Sequence, residues 1–161
     1  MRQFFKLQIA KEKSNMADRK TIFNDVPDSR RRIMRSIKGS ETKPEKLLRG
    51  ILQKLGYRFQ KNVKSLPGKP DIVFSAKKKV IFVHGCFWHA HSACRPISII
   101  PKVRSEYWKE KFYKTIQRDE KTLEALSKAG WSTLVVWECE LKNLGLTIEK
   151  LVSFLGRTKN N

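Results

Sequence analysis

The stretch GCFWHAHSAC, residues 85–94, holds two of the chain's three cysteines and two of its three histidines. Cys86, His91 and Cys94 lie close together there, and the third cysteine, Cys139, ends the segment WSTLVVWEC. Three sulfurs and one imidazole make the donor set of a closed, tetrahedral zinc site, which has no open position for substrate and serves to hold a loop rigid. Cys139 alone also fits a buried thiol in a strand, but Cys86 and Cys94 flank a polar loop and fit that account poorly. His89 competes with His91 for the nitrogen position. His91 leaves the backbone more room to turn after Cys86, and if it binds the metal, His84 and His89 remain for proton transfer.

A second group is built around Asp71, which opens DIVFS after the stiff turn LPGKP, while His84 ends VIFVHG. If these two apolar runs pair as an antiparallel hairpin, the start of one meets the end of the other. The Asp71 carboxylate, the 83–84 backbone and phosphate oxygens then form a hard oxygen set suited to Mg²⁺. His89, just beyond, is placed to take a proton from an attacking water. Glu45 can orient that water or a histidine, although its capping-box spacing from Thr42 already gives it a structural job. The plainer accounts of Asp71 and His84 are a satisfied turn and a hydrogen-bonded core histidine.

The elements that must position these groups follow from periodicity. An arginine-studded short helix carries Ile33, Met34 and Ile37, and TKPEKLLRGILQKLG forms a second helix with Leu47, Leu48, Ile51, Leu52 and Leu55 as its apolar face and Gly56 as its stop. YRFQKNV reads as a strand or extended approach. DIVFS and VIFVHG are strands too closely joined for a crossover helix, hence antiparallel. From Ser105 to Ala129 the spacing of Trp108, Phe112, Ile116, Asp119, Leu123 and Leu126 predicts a long helix closed by Gly130. WSTLVVWEC follows as a strand reached through that helix and therefore parallel to a neighbour, and LTIEKLVSFLG is a last helix. The sum is an α/β sandwich around a small mixed sheet. Residues 1–28 read as a loosely ordered basic arm, 29–156 as the single domain and 157–161 as a tail.

Composition narrows the partner. In 161 residues, 35 Lys plus Arg face 15 Asp plus Glu, a formal charge of +20 that points to a polyanion and first to nucleic acid. A basic ribosome-associated or membrane-surface protein shares that charge. No run approaches the roughly 18 apolar residues of a membrane helix. The opening MRQFFKLQIAKEKSNMADRK is too interrupted by charge for a secretory signal, and the odd cysteine count disfavours a disulfide framework, so a cytoplasmic protein is expected.

LPGKPDIVF, VIFVHGCFWHAH, SEYWKEKF with RDEK, and VVWEC together resemble the very-short-patch repair (Vsr) endonuclease family over about residues 29–142. The resemblance implies a restriction-endonuclease-like fold, catalytic Mg²⁺, structural Zn²⁺, and nicking of duplex DNA 5′ to the T of a T:G mismatch, which starts repair of deaminated 5-methylcytosine. It implies Asp71 as the metal-binding aspartate, with the Val83 carbonyl completing the magnesium site. His89 becomes the histidine acting on water, and His84 and Glu45 its supports. Cys86, His91, Cys94 and Cys139 become the zinc ligands. Two residues, Ser92 and Ala93, separate His91 from Cys94 where the family's best-known pattern has one, and Val83 replaces a threonine of which only the carbonyl is used. A monomer working alongside a cytosine-5 DNA methyltransferase and mismatch repair proteins is the implied setting.

Phe87 and Trp88 stand between a zinc ligand and His89. A metal-pinned loop presents such rings, and an apolar wedge unstacks a mismatched step at least cost. The resemblance agrees, with Phe87 and Trp88 intercalating beside the mismatch and Met34 probing from the opposite groove; taken without it, the two rings would be core aromatics. Two other functions compete. A restriction endonuclease cutting both strands of unmodified DNA would share Asp71 and Mg²⁺ but leave the aromatic loop without purpose, and a non-catalytic zinc-stabilised DNA-binding module would group Asp71, His84 and His89 by accident.

Overall fold

The computed structural model describes residues 26–36, 39–61, 63–94, 101 and 103–158. It divides into two compact units, 1–39 and 40–161. In the first unit, helix α1 (Asp28–Ser36) is basic, with Arg31 paired to Asp28. The greater part of the expected N-terminal arm, the Met34 side chain and the end of the C-terminal tail lie outside the described set.

The second unit is built on a four-stranded sheet of order β1–β2–β3–β4, comprising β1 (Gln60–Lys61), β2 (Ile72–Phe74), β3 (Lys79–His84) and β4 (Ser132–Trp137). β2 and β3 form the expected antiparallel hairpin, turning through Ser75–Lys77 and the left-handed Lys78. β4, reached through a helix, is parallel to β3 with His84 opposite Trp137.

Helix α2 (Lys43–Lys54) starts at Thr42, whose hydroxyl caps the Glu45 N–H, and tolerates Pro44 because a first-turn residue needs no N–H partner. It stops where Gly56, at φ 78°, returns its N–H to Gln53 and the Tyr57 N–H reaches Leu52. Helix α3 (Ser105–Lys128) ends the same way, with Gly130 bonded to Ser127 and Trp131 to Leu126. Helix α4 (Leu144–Leu155) begins at Asn143, whose side chain accepts from the Leu146 N–H.

Strand alternation sorts these helices into layers. Ile72, Phe74 and Ile81 face one side, packing with Leu48 and Leu52 of α2 and Leu151 and Leu155 of α4. Val73, Val80 and Phe82 face the other and meet Leu126 of α3. The unit is a three-layer α/β sandwich around a small mixed sheet, as its sequence pattern predicts. Two details differ from expectation. Among the described residues the approach strand is paired only at Gln60 and Lys61, and Leu47 lies off the buried stripe of α2 and is exposed.

Candidate active site and metal centre

The β3–β4 register decides where the cysteines meet. His84 and Trp137 are paired, the ladder continues as the Glu138 N–H donates to the His84 carbonyl, and Cys86 and Cys139 each stand two residues beyond the pair. The loop after β3 then coils tightly, with the His89 N–H on the Gly85 carbonyl, the His91 N–H on the Cys86 carbonyl, and Ala90 at φ 49°. This brings His91 back over the two strand ends. Its Nδ1 lies 3.7 Å from Cys86 Sγ, 3.3 Å from Cys94 Sγ and 3.4 Å from Cys139 Sγ. Zn–S bonds of about 2.3 Å and Zn–N bonds of about 2.0 Å at tetrahedral angles require N···S edges of about 3.5 Å, so the four groups fit zinc. Burial, reinforced by the hydrogen bond with Cys94, pushes the Cys86 thiol up to about 12. Such converging sulfurs ionise together only when a cation compensates them.

Trp137 links this cluster to a second one. Its ring stacks on His91 at 4.0 Å between centroids and 7° between planes, and it meets His84 at 5.3 Å, nearly perpendicular. His84 in turn stacks on His89 at 3.7 Å and 10°. His89 Nδ1 lies 2.6 Å from Asp119 Oδ2 on α3. Among the described residues, His84, His89 and Asp119 form the other compact group of metal-ligand types beside the Cys/His set. Two stacked imidazoles and a carboxylate already engaged with one of them suit proton transfer better than Mg²⁺, which prefers oxygen. Burial, joined by the neighbouring His89, holds His84 down to about 4, so it is neutral at physiological pH. Burial pushes Asp119 up, but the hydrogen bond and charge of His89 outweigh it and leave the carboxyl below its usual range.

Asp71 sits where the hairpin expectation puts it. It directly precedes β2, and its Oδ2 accepts the Val83 N–H at 2.8 Å. Burial pushes its carboxyl up to about 6, against the Val83 hydrogen bond; Glu45 adds to the rise while Arg49 and His89 oppose it. Those four side chains therefore share one electrostatic neighbourhood with the Val83 backbone. Glu45 is buried, accepting from the Glu41 N–H at 2.8 Å and the Thr42 hydroxyl at 2.7 Å, so its capping job is filled. Arg49, one turn on, is buried too. It donates to Glu41 at 2.8 Å, approaches Glu45 at 3.8 Å, and its Nη1 has no hydrogen-bond partner.

The aromatic pair divides. Phe87 packs edge-to-face on Trp108 and Phe112 of α3 at 5.1 and 5.4 Å. Trp88 is 37% exposed, with the Lys111 ammonium 5.3 Å from its ring centroid.

Sequence reasoning placed Asp71, Glu45, His84, His89 and the four zinc-type ligands in groups that the chain does bring together. It missed Asp119 and Arg49 as members of those groups. For Asp119 the signal was present: a carboxylate on the stripe that otherwise carries Trp108, Phe112 and Leu126 has to find a partner inside.

The family model for DNA mismatch endonuclease Vsr matches residues 23–95. A type II nicking enzyme of Xanthomonas oryzae, V.XorIIP, is 45% identical over 129 residues, covering 80% of this chain and 93% of that protein. The chain belongs to the Vsr family. The DNA mismatch endonuclease Vsr of Escherichia coli is 41% identical over 120 residues, covering 73% of this chain and 76% of its own length. V.NmeAIP, a type II nicking enzyme of Neisseria meningitidis, is 47% identical over 119 residues, covering 74% of this chain and 84% of that protein. The Vsr match includes Asp71, the two clustered histidines and the aromatic pair.

Proposed function

We propose that this protein is a Mg²⁺-dependent, strand-specific endonuclease that nicks duplex DNA 5′ to the T of a T:G mismatch and so begins repair of deaminated 5-methylcytosine. The observation that carries the reading is the juxtaposition of the Asp71 carboxylate, bonded to the Val83 backbone, with a His89 whose ring is fixed by Asp119 and stacked on a neutral His84.

The roles follow from that geometry. Asp71 and the Val83 carbonyl supply hard oxygen ligands for Mg²⁺, which when bound neutralises charge on the phosphate and its leaving oxygen. Asp119 accepts from His89 Nδ1–H and fixes the tautomer in which Nε2 is the acceptor. His89 Nε2 then takes the proton of the attacking water, and Asp119 stabilises the imidazolium that results. His84 stays neutral and holds the His89 ring in plane by stacking. Glu45 supports the Asp71 neighbourhood from the first turn of α2. Cys86, His91, Cys94 and Cys139 hold Zn²⁺ and with it the loop bearing Phe87 and Trp88, which open the mismatched step while Met34 of α1 enters from the other groove. Residues 29–156 work as one endonuclease domain and as a monomer, with 1–28 as an added arm and 157–161 as a tail. A cytosine-5 methyltransferase and mismatch repair proteins are its functional companions at the nucleoid, in the cytoplasm. Among the described residues no helix is long and apolar enough to cross a membrane.

The test uses end-labelled duplexes with T:G, T:A or C:G at one position, with and without Mg²⁺. A nick in the T strand of the T:G duplex alone, and only with Mg²⁺, is expected. Cutting of both strands of the C:G duplex would establish a restriction endonuclease instead, and binding without cutting a DNA-binding module.

A further inference from the structure

A surface groove of about 410 Å³ runs between the LPGKP turn and helix α3, walled on one side by Pro67 and on the other by Lys114, Arg118, Lys121 and Thr122. On a helix, residues spaced by four and three share one stripe, so Lys114, Arg118 and Lys121 form a row about 10 Å long at 1.5 Å per residue. Among the described residues, no acidic one lines the groove. Lys114 and Arg118 carry local carboxylates, Glu110 and Asp119, while Lys121 makes no ion pair among the described residues. The wall is preformed. Gly68, at φ 71°, lets the turn press against α3 so closely that a Cβ there would fall 2.2 Å from Thr122 Cγ2, and no other residue accepts both the dihedral and the close approach.

Each wall of the groove adjoins a residue of the proposed reaction site. The turn that forms one wall ends at Asp71, and Arg118 touches the Asp119 carboxylate that holds His89. A strand threaded past Asp71 and His89 therefore leaves between the turn and the row of cations. We infer that this groove grips the phosphates of the nicked strand adjacent to the scissile one, the row of cations being long enough for about two or three of them. This rests on the nickase reading for which strand enters. The groove engages backbone only, so it sets register and affinity and carries no base or mismatch information.

The test is the double variant Lys114→Gln with Lys121→Gln, which leaves Arg118 and its Asp119 pairing intact. Binding of T:G and matched duplexes is measured without divalent metal over a salt series. The slope of log K against log salt should become shallower by about 0.9 for each phosphate that is no longer neutralised, about 1.8 in all, and equally on both duplexes. Lys54→Gln, at the end of α2 on the other side of the sheet, should leave the slope unchanged. Neutral methylphosphonates placed singly beside the nick should weaken the wild type at two or three successive positions and the double variant only at the one opposite the retained Arg118. A wild-type slope in the double variant, or methylphosphonate effects identical in both proteins, would overturn the groove assignment. Because the slope is read on matched DNA as well, a wild type that never nicks the T:G duplex sinks the mismatch reading and leaves the groove as a duplex-binding surface.

Discussion

Asp71 is placed where its own ionisation is costly, and that cost has a measurable sign. Its carboxyl rises from the ordinary 3.8 to about 6 on folding, so the folded state holds the proton more tightly. The stabilisation this gives is complete below about pH 4 and is lost as pH rises through 6, leaving the ionised group a burden of about 1–3 kcal/mol at neutral pH. Asp71→Asn keeps an acceptor for the Val83 N–H and removes the charge. It should abolish nicking, leave duplex binding intact, and raise metal-free stability at pH 7.5 by about 1–3 kcal/mol, with the gain shrinking by pH 4.5; denaturant unfolding in EDTA at the two pH values reads this, and an unchanged or lower stability at pH 7.5 would contradict it. The same proton competes with Mg²⁺, so the metal requirement of nicking should grow below about pH 6. At His89 the controlling partner is Asp119. Asp119→Asn should lower the single-turnover rate by about 10²- to 10⁴-fold with little effect on binding, since an amide can donate as well as accept and so neither fixes the tautomer nor stabilises the imidazolium by charge. A normal rate in that variant would remove Asp119 from the proton path.

The elements explain how two clusters that interleave along one loop are completed by residues from distant segments. The parallel pairing of β3 and β4 sets His84 against Trp137, and the chain needs only two more residues on each strand to bring Cys86 and Cys139 together. Trp137 lies between the clusters, flat on the zinc-side His91 and edge-on to the His84 that stacks on His89. Trp137→Leu should weaken zinc retention by about 10- to 100-fold, as loss of a group that orients a ligand does, and should slow nicking in parallel, with Trp137→Phe recovering part of both. Competition against a chromophoric chelator and single-turnover cleavage measure the two; normal cleavage in a leucine variant that has released its zinc would show the clusters to be independent. Much of this was legible in the sequence, because helix period, strand alternation, the Gly56 and Gly130 stops and the short hairpin link all report local physics. What was not legible depends on distant pairing. Among the described residues of YRFQKNV only Gln60 and Lys61 are paired, and Asp119 finds His89 only once α3 is laid against the loop after β3. Arg49 belongs with them: an arginine next to a leucine-rich stripe reads as solvent-facing until the fold buries it beside Glu45.

At the scale of the whole molecule, a +20 charge binds any duplex, so selectivity has to come from somewhere other than attraction. The proposed reading puts that source in the aromatic loop, whose two rings are held differently. Phe87 is seated against Trp108 and Phe112, whereas Trp88 is 37% exposed with its indole beside Lys111. Opening a mismatched step costs less than opening a paired one, so the same ring stacking leaves a larger surplus at T:G. Trp88→Ala should therefore reduce the T:G-to-matched nicking ratio at some cost in stability, because the ring also touches Phe87 and Trp108. Phe87→Ala should cost stability as well, because its ring packs on α3. The double variant should lose most of the mismatch preference while its salt-dependent binding to matched DNA stays near wild type, because every phosphate-binding cation is still in place. Single-turnover cleavage of both duplexes, run beside competition binding over a salt series and thermal unfolding, separates these effects. If Trp88→Ala and the double variant, both still folded, kept the wild-type ratio, selectivity would reside in base-reading side chains, and the aromatic pair would return to the role of packing against α3.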